Sequence, residues 1–309
     1  MSPTAGSPHL PGSAVRGVSG VARTPSVLTI AGSDSGGGAG IQADLKAFAR
    51  CGVHGTSAVT AITAQNTVGV QAIHAVPPDI VIAQIRSVMA DIDLDAVKIG
   101  MLGSAPTVRA VATALAELPP EIPVVLDPVM VSESGARLLD ADAESALIAE
   151  ILPRATVLTP NLPEASALAG ALPTAAVSDY EPHQEPAFEA DRASALARAL
   201  LELGPQIVVL TGGHREQATD LFLDAREPDR IVGIPGRRHP DGAAHGSGCT
   251  HSSILAAQLA LGRAPLQAAF AARALTGEAV AQGLRDVGQG PGPVDAIGLA
   301  RVRARLGLS

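Results

Sequence analysis

From Val27 onward, short β-branched runs alternate with longer Ala- and Leu-rich amphipathic segments, the pattern of βαβ units around a parallel sheet. The runs predict strands at Val27–Ala31, Ser57–Ala61, Ala96–Ile99, Val124–Asp127, Thr156–Thr159 and Gln206–Leu210. Between and after them, the spacing predicts helices at Gln42–Arg50, Pro78–Ala90, Pro106–Leu118, Asp142–Leu152, Ala187–Leu203, Cys249–Leu261 and Pro265–Gln282. In the last helix, Leu266, Ala269, Phe270 and Ala274 form the stripe expected to be buried. Every strand but the second ends in a polar or glycine-bearing turn: Gly32-Ser33-Asp34, Gly100-Met101, Asp127-Pro128, Pro160-Asn161 and Thr211-Gly212-Gly213. Open α/β sheets bind ligands beyond the carboxyl ends of their strands, so these turns predict one shared site. The expected class is a three-layer α/β fold, a mostly parallel central sheet with helices on both faces.

Two stretches break the rhythm. Residues 1–26, with Pro3, Pro8, Pro11 and Pro25 among Gly and Ser, read as a disordered tail, and residues 171–191, rich in Pro, Asp and Glu, as a solvated loop. The rest, 27–309, is expected to be a single domain. Aromatic residues make up only 2% of the chain, so Ala, Val, Leu and Ile must build the core. A net charge of -8, with only two lysines, Lys46 and Lys98, argues against a nucleic-acid partner. No apolar run has the roughly 18 to 20 residues that span a bilayer, so a soluble protein without a membrane partner is expected. Cys51 and Cys249 sit in no metal-ligand spacing, which fits a reducing cytoplasm.

The chemistry concentrates in a few motifs. Gly38-x-Gly40-x-x-Ala43 has the form of a dinucleotide-binding turn, but no Asp or Glu occurs between Asp44 and Asp79 to hold a ribose. Neither lysine follows a glycine, which excludes a Walker loop. The turn Gly246-Ser247-Gly248-Cys249 leads into an alanine-rich helix, where converging backbone N–H groups and the positive helix end would hold an anion such as a phosphoryl group in transfer. In that first turn the helix field is expected to lower the Cys249 thiol pKa and fit it as a general base; the alternative is a small cysteine packing the helix start. Asn161 and Glu164 have capping-box spacing and also suit Mg²⁺, which needs only one or two carboxylates. Asp127 either reaches the same ion or is a turn residue before Pro128.

Read together, five segments carry a resemblance: Ala31-Gly32-Ser33-Asp34-Ser35-Gly36-Gly37-Gly38-Ala39-Gly40-Ile41-Gln42-Ala43-Asp44-Leu45-Lys46, Lys98-Ile99-Gly100-Met101-Leu102, Leu126-Asp127-Pro128-Val129-Met130, Thr159-Pro160-Asn161-Leu162-Pro163-Glu164-Ala165 and His245-Gly246-Ser247-Gly248-Cys249-Thr250. In this order they resemble the hydroxymethylpyrimidine/phosphomethylpyrimidine kinases, thiamine-biosynthesis enzymes of the ribokinase-like fold. The resemblance implies Mg-ATP as cofactor and phosphorylation of 4-amino-5-hydroxymethyl-2-methylpyrimidine and then of its monophosphate. It implies Gly32, Asp44, Gln65, Met101 and Val129 around the pyrimidine, Asp127, Asn161, Glu164, Thr211 and Gly213 around the nucleotide, and Cys249 as base. Where the family often carries Lys-Gly-Gly-His, this chain has Thr211-Gly212-Gly213-His214. Family membership also implies a homodimer. The rival readings are a pyridoxal kinase of the same fold and a pyrimidine-binding regulator without turnover.

Overall fold

The computed structural model describes residues 23–131, 138–171, 186–212, 218–240 and 242–307. Nine strands, β1 (Ser26–Asp34), β2 (His54–Gln65), β3 (Val70–Ala75), β4 (Ala96–Ile99), β5 (Val124–Leu126), β6 (Val157–Leu158), β7 (Ile207–Leu210), β8 (Asp220–Asp224) and β9 (Val232–Ile234), form one sheet. Its order is β3-β2-β1-β4-β5-β6-β7-β8-β9. The central strands from β2 to β7 are parallel, whereas β3, β8 and β9 join antiparallel at the edges.

Side chains alternate across the central strands, so each strand feeds two cores. Leu28, Ile30, Val97, Ile99, Val124, Leu126, Leu158, Val208 and Leu210 face α2 (Pro78–Met89), α3 (Ala105–Leu115), α4 (Ala141–Ala146), α5 (Leu162–Ala169) and α6 (Pro186–Leu201). Their neighbours Val27, Ala96, Val125, Val157 and Val209 face α1 (Gly40–Cys51), α7 (Ser247–Ala260) and α8 (Pro265–Ala281). A short α9 (Leu299–Arg305) ends the described chain. This is the expected three-layer arrangement.

Several local expectations are corrected. β3, β8 and β9 escaped the sequence reading because antiparallel edge strands lack the strand-then-helix rhythm, and β3 is exposed at five of its six residues. Gly32-Ser33-Asp34 is not a turn but the end of β1, which continues past a register shift to pair Ser33 with Ile62 and Asp34 with Thr63. The helix expected over 142–152 widens into a π turn at Leu147–Ile151, just before Pro153, which has no N–H to continue an α-helix. On α8 the buried face is Ala268, Ala269, Ala272, Thr276 and Ala279, while Phe270 is 42% exposed and Ala274 is also exposed. Of the expected stripe, Ala269 is buried and Leu266 packs partly buried against the core, so only Phe270 and Ala274 are corrected; small residues let α8 approach closely on the face they form. Residues 23–26 are not tail: Ser26 starts β1, its N–H donates to Asp95 at 2.7 Å, and Arg23 pairs with the same carboxylate. Likewise Pro186–Asp191 belongs to α6 and not to the loop; residues 1–22 and 172–185 lie outside the described residues.

Candidate active site

Alternation along β4 turns Lys98 toward α1 and α7, in the middle of an otherwise apolar strand. Its ammonium is fully buried and donates to Asp44 of α1 at 3.0 and 3.1 Å, with Asp127 at 4.0 Å beyond the end of β5. Asp44 also accepts from Thr29 Oγ1 at 2.6 Å and Ser253 Oγ at 2.7 Å. Burial alone would drain charge from Lys98, but Asp44 beside it holds its pKa above the ordinary lysine value. Asp127 accepts from Ser252 Oγ at 3.0 Å, yet burial raises its pKa.

Above this buried pair opens a cavity of about 830 Å³ at the carboxyl ends of β1, β4, β5, β6 and β7. One wall is the turn into α7. Gly246 has φ +81°, and a Cβ there would lie 1.8 Å from the Gly38 carbonyl oxygen, so only glycine fits. The Thr250 N–H donates to the Gly246 carbonyl, which begins the helix. One expectation for the anion hole needs correction: the Ser247 N–H is committed to the Ala244 carbonyl. Those of Gly248 and Cys249 have no acceptor among the described residues and are left to receive an anion.

The glycine-rich stretch after β1 wraps around a carboxylate, and its Ala39 and Gly40 also line the cavity. Asp34 accepts the N–H groups of Gly36, Gly38 and Ala39 at 2.8, 3.0 and 2.8 Å and lies 3.1 Å from His245 Nε2. Burial pushes its pKa up, but the bond to His245 and these N–H groups bring it below the usual carboxylate range. This pair fastens the loop after β1 to the turn before α7.

Cys249 is where the structure departs most from the sequence expectation. Its thiol pKa is not lowered but pushed up to about 12, chiefly by burial. Lys98 and the Gly40 N–H pull it down, while Asp127 and Asp44 push it further up. Desolvation of a thiolate outweighs the field of one helix end.

Asn161 and Glu164 form the full capping box: the Asn161 side chain accepts from the Glu164 N–H, and Glu164 Oε2 from the Asn161 N–H, both at 2.9 Å. Both residues nevertheless line the cavity. Burial, and then the Asp127 charge, push the Glu164 pKa up to about 7.

Gly32, Gln65, Met101, Val129 and Thr211 also line the cavity. Asp44 does not; it lies buried behind the wall with its oxygens taken by Lys98, Thr29 and Ser253, which corrects the expectation that it touches a pyrimidine. Gly213 falls outside the described residues. Lys98, the Asp34–His245 pair, and Asp220, His251 and Arg273 also line the cavity, and none of them is among the residues that the sequence motifs single out for a role. A lysine inside the apolar run Ala96-Val97-Lys98-Ile99 was the available signal for the first.

Residues 34–295 match the family model described as phosphomethylpyrimidine kinase. A hydroxymethylpyrimidine/phosphomethylpyrimidine kinase of Rhizobium meliloti (strain 1021) is 46% identical over 274 residues, covering 88% of this chain and 96% of that protein. The Haemophilus influenzae protein of the same name is 45% identical, covering 87% of this chain and 95% of its own. Among solved structures, phosphomethylpyrimidine kinase from Clostridium difficile 630 aligns with TM-score 0.68 and 36% identity over 83% of this chain and all of its own. Pyridoxal kinase from Staphylococcus aureus, in complex with AMP-PCP and pyridoxal, aligns with TM-score 0.76 and 30% identity over 91% of this chain and 96% of its own. With its motifs in family order around one cavity and a family model spanning most of its length, the chain belongs to the phosphomethylpyrimidine kinases.

Proposed function

We propose that the protein transfers the γ-phosphate of ATP to the hydroxymethyl group of 4-amino-5-hydroxymethyl-2-methylpyrimidine, and then phosphorylates the monophosphate to the diphosphate. The observation that carries this reading is that Cys249 and the unengaged N–H groups beside it open on the same cavity as Gly32, Gln65, Met101 and Val129. Acceptor, phosphoryl group and base can therefore meet in one space.

In this reading Gln65 offers an amide carbonyl and NH₂ to the donor and acceptor edge of the aminopyrimidine. Cys249, as thiolate, takes the hydroxymethyl proton as the oxygen bonds to the γ-phosphorus and the bond to the β–γ bridging oxygen breaks. The Gly248 and Cys249 N–H groups stabilise the charge that develops on the transferred group. Asp127 and Glu164 fit Mg²⁺: they are hard oxygen donors close enough for Asp127 to raise Glu164, a repulsion that a cation relieves. Held there, the ion would neutralise nucleotide phosphate charge. Asn161 and Thr211 border the same side of the cavity.

Incubation with the pyrimidine alcohol and Mg-ATP should yield monophosphate and then diphosphate; neither product, with pyridoxal phosphorylated instead, would overturn the reading. The pyridoxal arm is needed because pyridoxal kinase structures align with TM-scores near 0.76. Gly32→Ala gives a finer test. A Cβ there would meet Met101 Cε at 2.5 Å, the flexible end of a side chain that also lines the cavity. The pyrimidine KM should rise several-fold while stability changes by about 1 kcal/mol or less. A pyrimidine KM indistinguishable from wild type would remove Gly32 and Met101 from that end.

No helix among the described residues is long and apolar enough to cross a membrane. A homodimer is supported by exposed Ile62, Val68, Ile73 and Ile80 on and beside the β2–β3 hairpin.

A further inference from the structure

We infer that Arg237 and Arg238, on the turn between β9 and α7, form the cationic clamp for the nucleotide polyphosphate. This rests on the proposed use of ATP and deepens it. ATP brings several negative charges into a cavity lined by Asp34, Asp127, Glu164 and Asp220. The other strong cations on the walls are already committed. Lys98 is bound to Asp44, and Arg273 donates to the Ala218 carbonyl and lies 3.8 Å from Asp220 Oδ1. At position 211 the side chain is a neutral threonine, whose N–H is spent on the Pro160 carbonyl.

Arg237 and Arg238 line the same cavity, are exposed, and make no hydrogen bond or ion pair with other described residues. Their turn is nevertheless held in place. Gly236 lies so close to the Arg273 guanidinium that a Cβ would sit 2.0 Å from Arg273 Nε, so the committed arginine is a post on which the basic turn rests. A mounted pair of unpaired guanidiniums at the mouth of an anion-receiving cavity is suited to phosphate oxygens, which they engage in a bidentate fork. The same exposure leaves their contribution open to salt.

The clamp is tested by Arg237→Ala, Arg238→Ala and the double variant. The double variant is expected to raise KM for Mg-ATP by about tenfold or more, with the pyrimidine KM within about twofold of wild type. Equilibrium titration with ATP in the absence of any acceptor should show the same loss, and this arm reads the arginines even if the acceptor is not a pyrimidine. Inhibition by adenosine, which has no phosphate, should be unchanged, and Arg237→Lys/Arg238→Lys should recover part of the ATP affinity. ATP affinity in the double variant should also fall less steeply with added salt. An unchanged ATP affinity, or an equal loss for adenosine and ATP, would overturn the inference. Both side chains are exposed, so thermal melts should match wild type and exclude misfolding as the cause.

Discussion

Lys98→Met is expected to cost about 3–5 kcal/mol of folding stability and to abolish turnover. The substitution keeps most of the side-chain volume but strands the Asp44 carboxylate, which is fully buried and within 3.1 Å of the ammonium on both oxygens. Thr29 and Ser253 remain as donors, yet two hydroxyls do not replace a cation. Asp44→Asn in the same chain removes the stranded charge, so the double variant should recover most of the stability while staying inactive. That split separates the two roles of the lysine. Asp44 needs it for folding, whereas Cys249 and Asp127 need its field. Because the folded lysine pKa lies above its unfolded value, its contribution is fully present below about pH 10 and is lost only as pH rises through the folded pKa. Urea melts at pH 6 and pH 9 should therefore give the same penalty for the single variant, and a double variant as unstable as the single would sink the account.

Much of this architecture was legible in the sequence because parallel strands buried on both faces are written as uninterrupted β-branched runs. Ala96–Ile99 was found to the residue, and the turns after the central strands do converge on one cavity. The edges were not legible, since β3 pairs through its backbone and presents Gln71 and His74 outward. Within the site, one local motif carried over: Asn161 with Glu164 makes the capping box their spacing implies. What failed were judgements that depend on tertiary surroundings. The thiol of Cys249 was read from its helix alone, but its pKa is set mainly by burial, with two carboxylates from other elements adding to the rise. Asp44 was read as a polar group facing a ligand, yet its partner lies 54 residues away on a strand. Charge pairing across elements leaves no periodic trace in a sequence.

Cys249→Ala should divide the two proposed phosphorylation steps. Transfer to the hydroxymethyl group requires a proton to leave an alcohol, and losing the base should slow it by about 10²–10⁴-fold. Transfer to the monophosphate does not. A phosphate monoester has a second pKa of about 6, so its attacking oxygen is already ionised at neutral pH, and that step should stay within about tenfold of wild type. The raised thiol pKa, about 12, sharpens the expectation, because only the thiolate accepts a proton and its population grows with pH. The first step in the wild-type enzyme should therefore accelerate from pH 6 to pH 9, and the Cys249→Ala variant should lose that slope. Cys249→Ser should not restore it, since a serine hydroxyl ionises less readily still. An equal loss of both steps would instead make the Cys249 side chain a shaping element of the anion hole, acting through the packing of the α7 start, since alanine keeps the backbone N–H. A pH-independent first step in the wild type would move the base to another group, and Asp127, which lines the same cavity and whose charge acts on the same thiol, is the candidate.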